Sequence, residues 1–322
     1  MNRLIGNLSI VLLSLLPIWT WAANEGEPQQ YRELNVVGIT GQQSYHLKCA
    51  GQGSPTIFLD GGLKYWSIHY LHLLESLGSL TTTCLYDRPG YGESQKGRLP
   101  RTVEQNAIDI AHAIEAAEIP LPIVMGGHSL GGVNALGFTS LFRDLVAGIV
   151  LIDSAHPDQY EQFPVQLVSL QNEQTNRFWR YSALLANGDE VDLTREVPVW
   201  LDEASQREML TRLRNPANFL AFASEMDSFA QTSTFLRGNY NTQLEIPLVV
   251  LTALNSFDLY GTLIPEDIKV NAQKKWFDLQ KDLLSYSKQS TQLFSNGHHS
   301  LEISDPDKII AAFKIVLSQI DQ

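Results

Sequence analysis

Gly127-His128-Ser129-Leu130-Gly131 is the stretch of this chain best suited to chemistry. It has the form G-x-S-x-G. A serine in such a turn presents its hydroxyl at the top of a sheet, and larger residues at the flanking glycines would clash. A serine hydroxyl is a poor nucleophile alone. It needs a neighbouring base, and the base needs an orienting group. The chemistry implied is acyl transfer through a covalent intermediate on Ser129. The chain holds eight histidines. By the chain order Ser…Asp…His, two of them, His298 and His299 in Gly297-His298-His299-Ser300, are best placed as the base.

The elements that must carry these residues are legible. The apolar run Leu121 to Met125 precedes the serine, and small residues follow it, so strand, turn and helix read in one stretch. Further strands are expected at Val36 to Ile39 and Ser44 to Cys49, as a hairpin around Thr40-Gly41, and then at Thr56 to Leu59 and Thr81 to Tyr86. Pro122 to Met125, Ala147 to Ile152, Pro247 to Thr252 and Gln292 to Phe294 complete the set. Helical patterns lie at Ile68 to Leu77, Val103 to Ala117, Gly132 to Phe142, Lys274 to Tyr286 and Pro306 to Ile320. This alternation predicts an α/β fold around a mostly parallel sheet. Core segments are expected at 31–154 and 246–322. Between them, 155–245 shows no convincing strand and reads as a helical cap insertion, with helices at Asn176 to Leu185 and Asn218 to Ala230.

Composition narrows the partners. The chain is 44% hydrophobic and carries a net charge of −12. Without a Lys/Arg-rich block, nucleic acid is not an expected partner. The histidines lack ligand spacing with cysteines or carboxylates, and no G-x-G-x-x-G follows a strand, so neither a metal nor a dinucleotide cofactor is expected. The N-terminus combines Arg3, an apolar run from Leu4 to Trp21 and small residues at Thr20, Ala22 and Ala23. It reads as a signal peptide over 1–22, cleaved near Ala22 or Ala23, and predicts a secreted or periplasmic protein. An uncleaved anchor is the alternative, though the run is short for a membrane span. No other stretch is expected to cross a membrane.

Taken together, Phe58 to Leu63, Tyr86-Asp87-Arg88-Pro89-Gly90-Tyr91-Gly92-Glu93-Ser94, Gly127 to Gly132, Leu151 to Asp158 and His299 to Pro306 make the chain resemble the α/β-hydrolase superfamily. The resemblance runs from about residue 34 to the end. It implies a histidine base about seven positions before a proline. His299 fits that spacing to Pro306, while His298 directly follows a glycine, as the family's histidine often does. It offers two places for the acid: Asp153 after one strand, as in one subgroup of haloalkane dehalogenases, or Asp258 after the next. Asp153 is the assignment and Asp258 the alternative. The oxyanion hole needs two backbone N–H donors. Leu130 supplies one, and the resemblance places the other at Leu63 or, in a shifted match, Gly62. The family's usual His-Gly is here Asp60-Gly61-Gly62. Asp87-Arg88-Pro89 is expected to tie loops together. The fold also sets the second strand antiparallel to the fourth, which implies a Cys49–Cys84 disulfide.

The resulting expectation is an exported serine hydrolase with the triad Ser129, His299 and Asp153. Its substrate is expected to be a small apolar acyl compound, with a carboxylic ester foremost. Peptidase, acyltransferase, thioesterase and lactonase chemistry fit the same triad. Phe178, Trp179, Trp200, Phe219 and Phe222 of the insertion could line an apolar pocket or form core. A non-catalytic binding protein on this scaffold is a rival from another class. A dehalogenase would carry aspartate where Ser129 stands.

Overall fold

A computed structural model describes residues 31–320 apart from 39, 40 and 42. The signal peptide expected at 1–22 lies outside the described residues, as do Ile39 and Thr40 of the expected hairpin. The strands are β1 (Arg32–Val37), β2 (Ser44–Ala50), β3 (Thr56–Asp60), β4 (Thr83–Asp87), β5 (Ile123–His128), β6 (Val146–Ile152), β7 (Leu244–Asn255) and β8 (Ser287–His298). They form one sheet in the order β1-β2-β4-β3-β5-β6-β7-β8. β2 runs antiparallel to β1 and β4, and every other neighbouring pair is parallel.

The helices are α1 (Leu71–Gly78), α2 (Val103–Ala116), α3 (Leu130–Leu141), α4 (Gln159–Gln162), α5 (Val165–Ala186), α6 (Glu203–Leu213), α7 (Pro216–Ser228), α8 (Thr232–Asn239), α9 (Glu266–Asp282), α10 (Leu301–Ser304) and α11 (Pro306–Ile320). The central strands β3, β5 and β6 are continuous apolar runs because both of their faces are covered. On one face Phe58 and Met125 share a core with Ile110 and Ile114 of α2 and Val133 and Leu136 of α3. On the other, Ile57 and Val124 pack with Leu73 and Leu77 of α1 and Ile309 and Phe313 of α11. β8 is much longer than the expected Gln292 to Phe294. It is a polar edge strand, a place where a row of charged and amide side chains is favoured over apolar alternation.

Helices α4 to α8 fill the stretch between β6 and β7. α7 starts at the Asn215 cap, whose side chain accepts from the Ala217 N–H, with Pro216 in the first turn. This layer has its own core. Phe178, Phe219 and Phe222 are fully buried there with Met209 and Leu213. Asp158, just after β6, bonds Ser233 at 2.5 Å and Arg237 at 2.8 Å, which ties α8 to the sheet.

Candidate active site

Three strand ends, those of β5, β6 and β8, meet above the sheet. Ser129 follows β5 in the turn that opens α3, with φ 52° and ψ −120°. That conformation is uncommon for a residue with a side chain and stores strain. It survives because the turn is tied on both sides: the Ser129 N–H donates to Ile152 O at 3.1 Å, and its carbonyl accepts from Ala155 N–H at 2.9 Å. The glycines are sterically required. A Cβ on Gly131 would lie 2.6 Å from the Gly61 carbonyl oxygen.

His299 follows β8, and its Nε2 lies 2.9 Å from Ser129 Oγ. Its Nδ1 lies 2.7 Å from Asp153 Oδ2. Asp153 follows β6 and is 0% exposed. Its other oxygen, Oδ1, accepts from the Ala253 N–H at 3.0 Å and from the Trp276 indole N–H at 2.8 Å. Both alternatives raised by the sequence lie elsewhere. The His298 ring accepts from the Ser300 N–H at 3.2 Å. Asp258 is exposed on a short helical turn.

A cavity of about 310 Å³ opens over Ser129. Leu63, Leu130 and His299 line it, with Tyr160, Phe163, Phe229, Phe257 and Trp276 as an aromatic wall. Of the aromatic residues singled out in the sequence, Phe178, Phe219 and Phe222 are core between α5 and α7 and Trp200 packs against them, while Trp179 is exposed and donates its indole N–H to Asp227 at 2.7 Å. Lys64 also lines the cavity, but Glu196 holds its ammonium at 2.6 Å. Of the two oxyanion candidates, Gly62 spends its N–H on the Tyr70 hydroxyl at 3.3 Å. Leu63 is the next amide along the loop.

The alpha/beta hydrolase family model matches residues 58–312. This chain belongs to the alpha/beta hydrolase family. The haloalkane dehalogenase DatA from Agrobacterium tumefaciens C58 is similar in fold, with a TM-score of 0.67 and 16% identity, covering 91% of this chain and 98% of that one. A thermophilic esterase from Thermogutta terrifontis gives a TM-score of 0.57 at 18% identity, covering 90% of this chain and 100% of that one. At such identities the likeness is one of fold. An uncharacterized vacuolar membrane protein of Saccharomyces cerevisiae (strain YJM789) is 33% identical over 105 residues, which are 32% of this chain and 16% of that protein.

Some residues of the hydrolase's site stand outside the sequence-based expectation. His128, the variable residue of the G-x-S-x-G turn, is buried. Its Nε2 bonds the His299 carbonyl at 2.9 Å, and its Nδ1 meets the Tyr70 hydroxyl at 2.9 Å. A carbonyl only accepts, so Nε2 carries the proton and Nδ1 accepts from Tyr70. Burial holds this imidazole neutral, well below its ordinary titration range. A chain of hydrogen bonds thus joins the Gly62 amide to the segment bearing His299. The Gly-His pair in front of Ser129 was a visible hint, but its partners lie far along the chain.

Glu302 lies one turn beyond His299 and is 0% exposed. Burial raises its carboxyl from 4.5 to about 8, and neither carboxyl oxygen is in a hydrogen bond. The folded hydrolase therefore keeps a proton that the unfolded chain releases. Stability is greatest below pH 4.5 with respect to this group and declines until about pH 8, at a slope on the order of 1 kcal/mol per pH unit. Glu302→Gln is expected to flatten that decline and to unfold at higher denaturant than the wild type at pH 8. Urea midpoints between pH 5 and 9 check this; parallel curves for the two proteins would contradict it.

Proposed function

We propose that this hydrolase cleaves carboxylic esters through an acyl-enzyme on Ser129. The observation that carries this reading is the unbroken line from Ser129 Oγ to His299 Nε2 and from His299 Nδ1 to Asp153, at 2.9 and 2.7 Å, on the floor of an apolar cavity. His299 takes the serine proton as Oγ attacks the acyl carbon, then returns it to the leaving alcohol. Asp153 holds Nδ1–H and stabilises the imidazolium. The amides of Leu130 and Leu63 receive the oxyanion. Water activated by His299 then releases the acid. With serine rather than a carboxylate at the turn, acyl transfer is favoured over displacement of halide or epoxide oxygen. The aromatic wall supports small apolar or aryl acyl groups as substrates.

The disulfide between Cys49 and Cys84 and the apolar N-terminal segment support a location outside the cytosol, where disulfides persist. Incubation with a fluorophosphonate probe is expected to add one label, mapped to Ser129 by peptide mass, and none to Ser129→Ala. A panel of p-nitrophenyl esters is expected to show turnover best for short apolar or aryl acyl chains. An unlabelled Ser129 in folded protein, with no ester hydrolysed, would reject the reading.

A further inference from the structure

Arg88 is a buried charge beside the loop that follows β3. It is 1% exposed. Its Nε donates to Glu225 Oε1 at 3.0 Å, and Nη1 to Asp60 Oδ1 and the Gly61 carbonyl, each at 2.6 Å. Nη2 donates to the Gly62 carbonyl at 2.9 Å and to Glu225 Oε2 at 3.4 Å. All five N–H donors of the guanidinium are thus used. Two of the acceptors are carbonyls of the loop that carries Leu63. Arg88 itself is not among the residues lining the cavity.

We propose that Arg88 is the positioning residue of the oxyanion loop, and that Glu225 on the cap helix α7 holds it in aim. This rests on the ester-hydrolase reading. The Gly62–Leu63 bond is trans, as cis bonds among the described residues occur only before Pro55, Pro100 and Pro122. In a trans peptide the C=O and the following N–H point in opposite directions. The Gly62 carbonyl is held by Arg88 and by the Tyr65 N–H at 3.1 Å. The Leu63 N–H is therefore turned away from the guanidinium, and Leu63 borders the same cavity as Ser129 and Leu130.

Asp60, standing where the family often has histidine, completes the clamp. Its Oδ2 accepts from Asn134 Nδ2 at 2.8 Å, on the helix that Ser129 opens. Loop and nucleophile helix are thereby fixed to each other. Glu225 is fixed in turn by the Tyr91 hydroxyl and by Asn106 Nδ2 at 3.2 Å. A shift of α7 would move the guanidinium and the loop with it. Lysine cannot replace this arrangement, since its three donors radiate from one point.

The test compares Arg88→Lys and Glu225→Gln with wild type. Steady-state kinetics on the best p-nitrophenyl ester are read beside thermal unfolding. Inhibition by a boronic acid, whose tetrahedral adduct on Ser129 puts an oxygen in the oxyanion hole, is the third readout. Misplacing an oxyanion donor is expected to lower kcat about 10- to 100-fold, with KM within about twofold. The boronate Ki is expected to rise in step with the fall in kcat/KM. A purely structural role would lower the unfolding temperature without that proportionality. Folded variants with kcat within about twofold of wild type, or with KM raised at constant kcat, overturn the proposal. If Arg88→Lys does not fold, the isosteric Glu225→Gln carries the same readouts. Failure of both to fold would assign the network to folding and overturn it too. A wild type that turns over no ester and takes no phosphonate label fails the ester-hydrolase reading itself, before any variant is compared.

Discussion

Asp153→Asn is expected to lower kcat on esters by about 10,000-fold, while Asp258→Asn leaves it unchanged. The size follows from the donors around the carboxylate. Oδ1 receives two N–H groups, from Ala253 and Trp276. An asparagine must therefore put its carbonyl oxygen there and turn its NH₂ toward His299. That NH₂ would donate to Nδ1, which forces the imidazole proton onto Nε2. Nε2 faces Ser129 Oγ at 2.9 Å and could no longer accept the serine proton. The variant is expected to keep its fold, because the amide replaces the carboxylate atom for atom. Circular dichroism and steady-state kinetics on the two variants check this. Loss confined to Asp258→Asn would reverse the assignment of the acid.

Removing the disulfide is expected to produce the largest change in stability. Cys49 on β2 and Cys84 on β4 are directly opposed in the antiparallel pair, with Cα atoms 4.1 Å apart. The bond closes a loop with a sequence separation of 35. Chain entropy for a loop of that length gives about 3 to 4 kcal/mol of stabilisation, acting by restricting the unfolded chain. Both sulfurs are buried, so alanine is a better replacement than serine, whose hydroxyls would need partners. Cys49→Ala with Cys84→Ala is expected to lower the unfolding free energy by about that amount, measured by urea denaturation. A change below about 1 kcal/mol would mean that the unfolded chain is already restrained there.

What the residues alone made legible were the features set by local pattern. The buried strands of the parallel sheet appear as apolar runs. The serine turn appears as glycines around a small polar residue, and the helical segment between β6 and β7 as a stretch without strand pattern. The family resemblance then ordered the strands well enough to pair the cysteines. β8 was read short, since an edge strand with polar residues on both faces carries no apolar alternation. The choice between Asp153 and Asp258 could not be made from pattern, because both are aspartates shortly after a strand.

Contacts between distant segments set the two aspartates apart. β6, β7 and β8 lie side by side, so the residues after β6 and after β8 reach across the end of β7. Asp153 meets His299 there, while Asp258 is turned to solvent. The same holds for Trp276 behind Asp153, for Tyr70 and His128 behind His299, and for Arg88 and Glu225 behind the Gly62–Leu63 peptide. In each case the chemistry lies in a hydrogen bond between segments far apart in the chain. Sequence order specifies which groups are available; only packing specifies which donor finds which acceptor. The amino-acid sequence by itself determined the fold class, the serine and the chain order of the candidate site. The tertiary structure alone decided which carboxylate touches the imidazole, and what holds the loop above them.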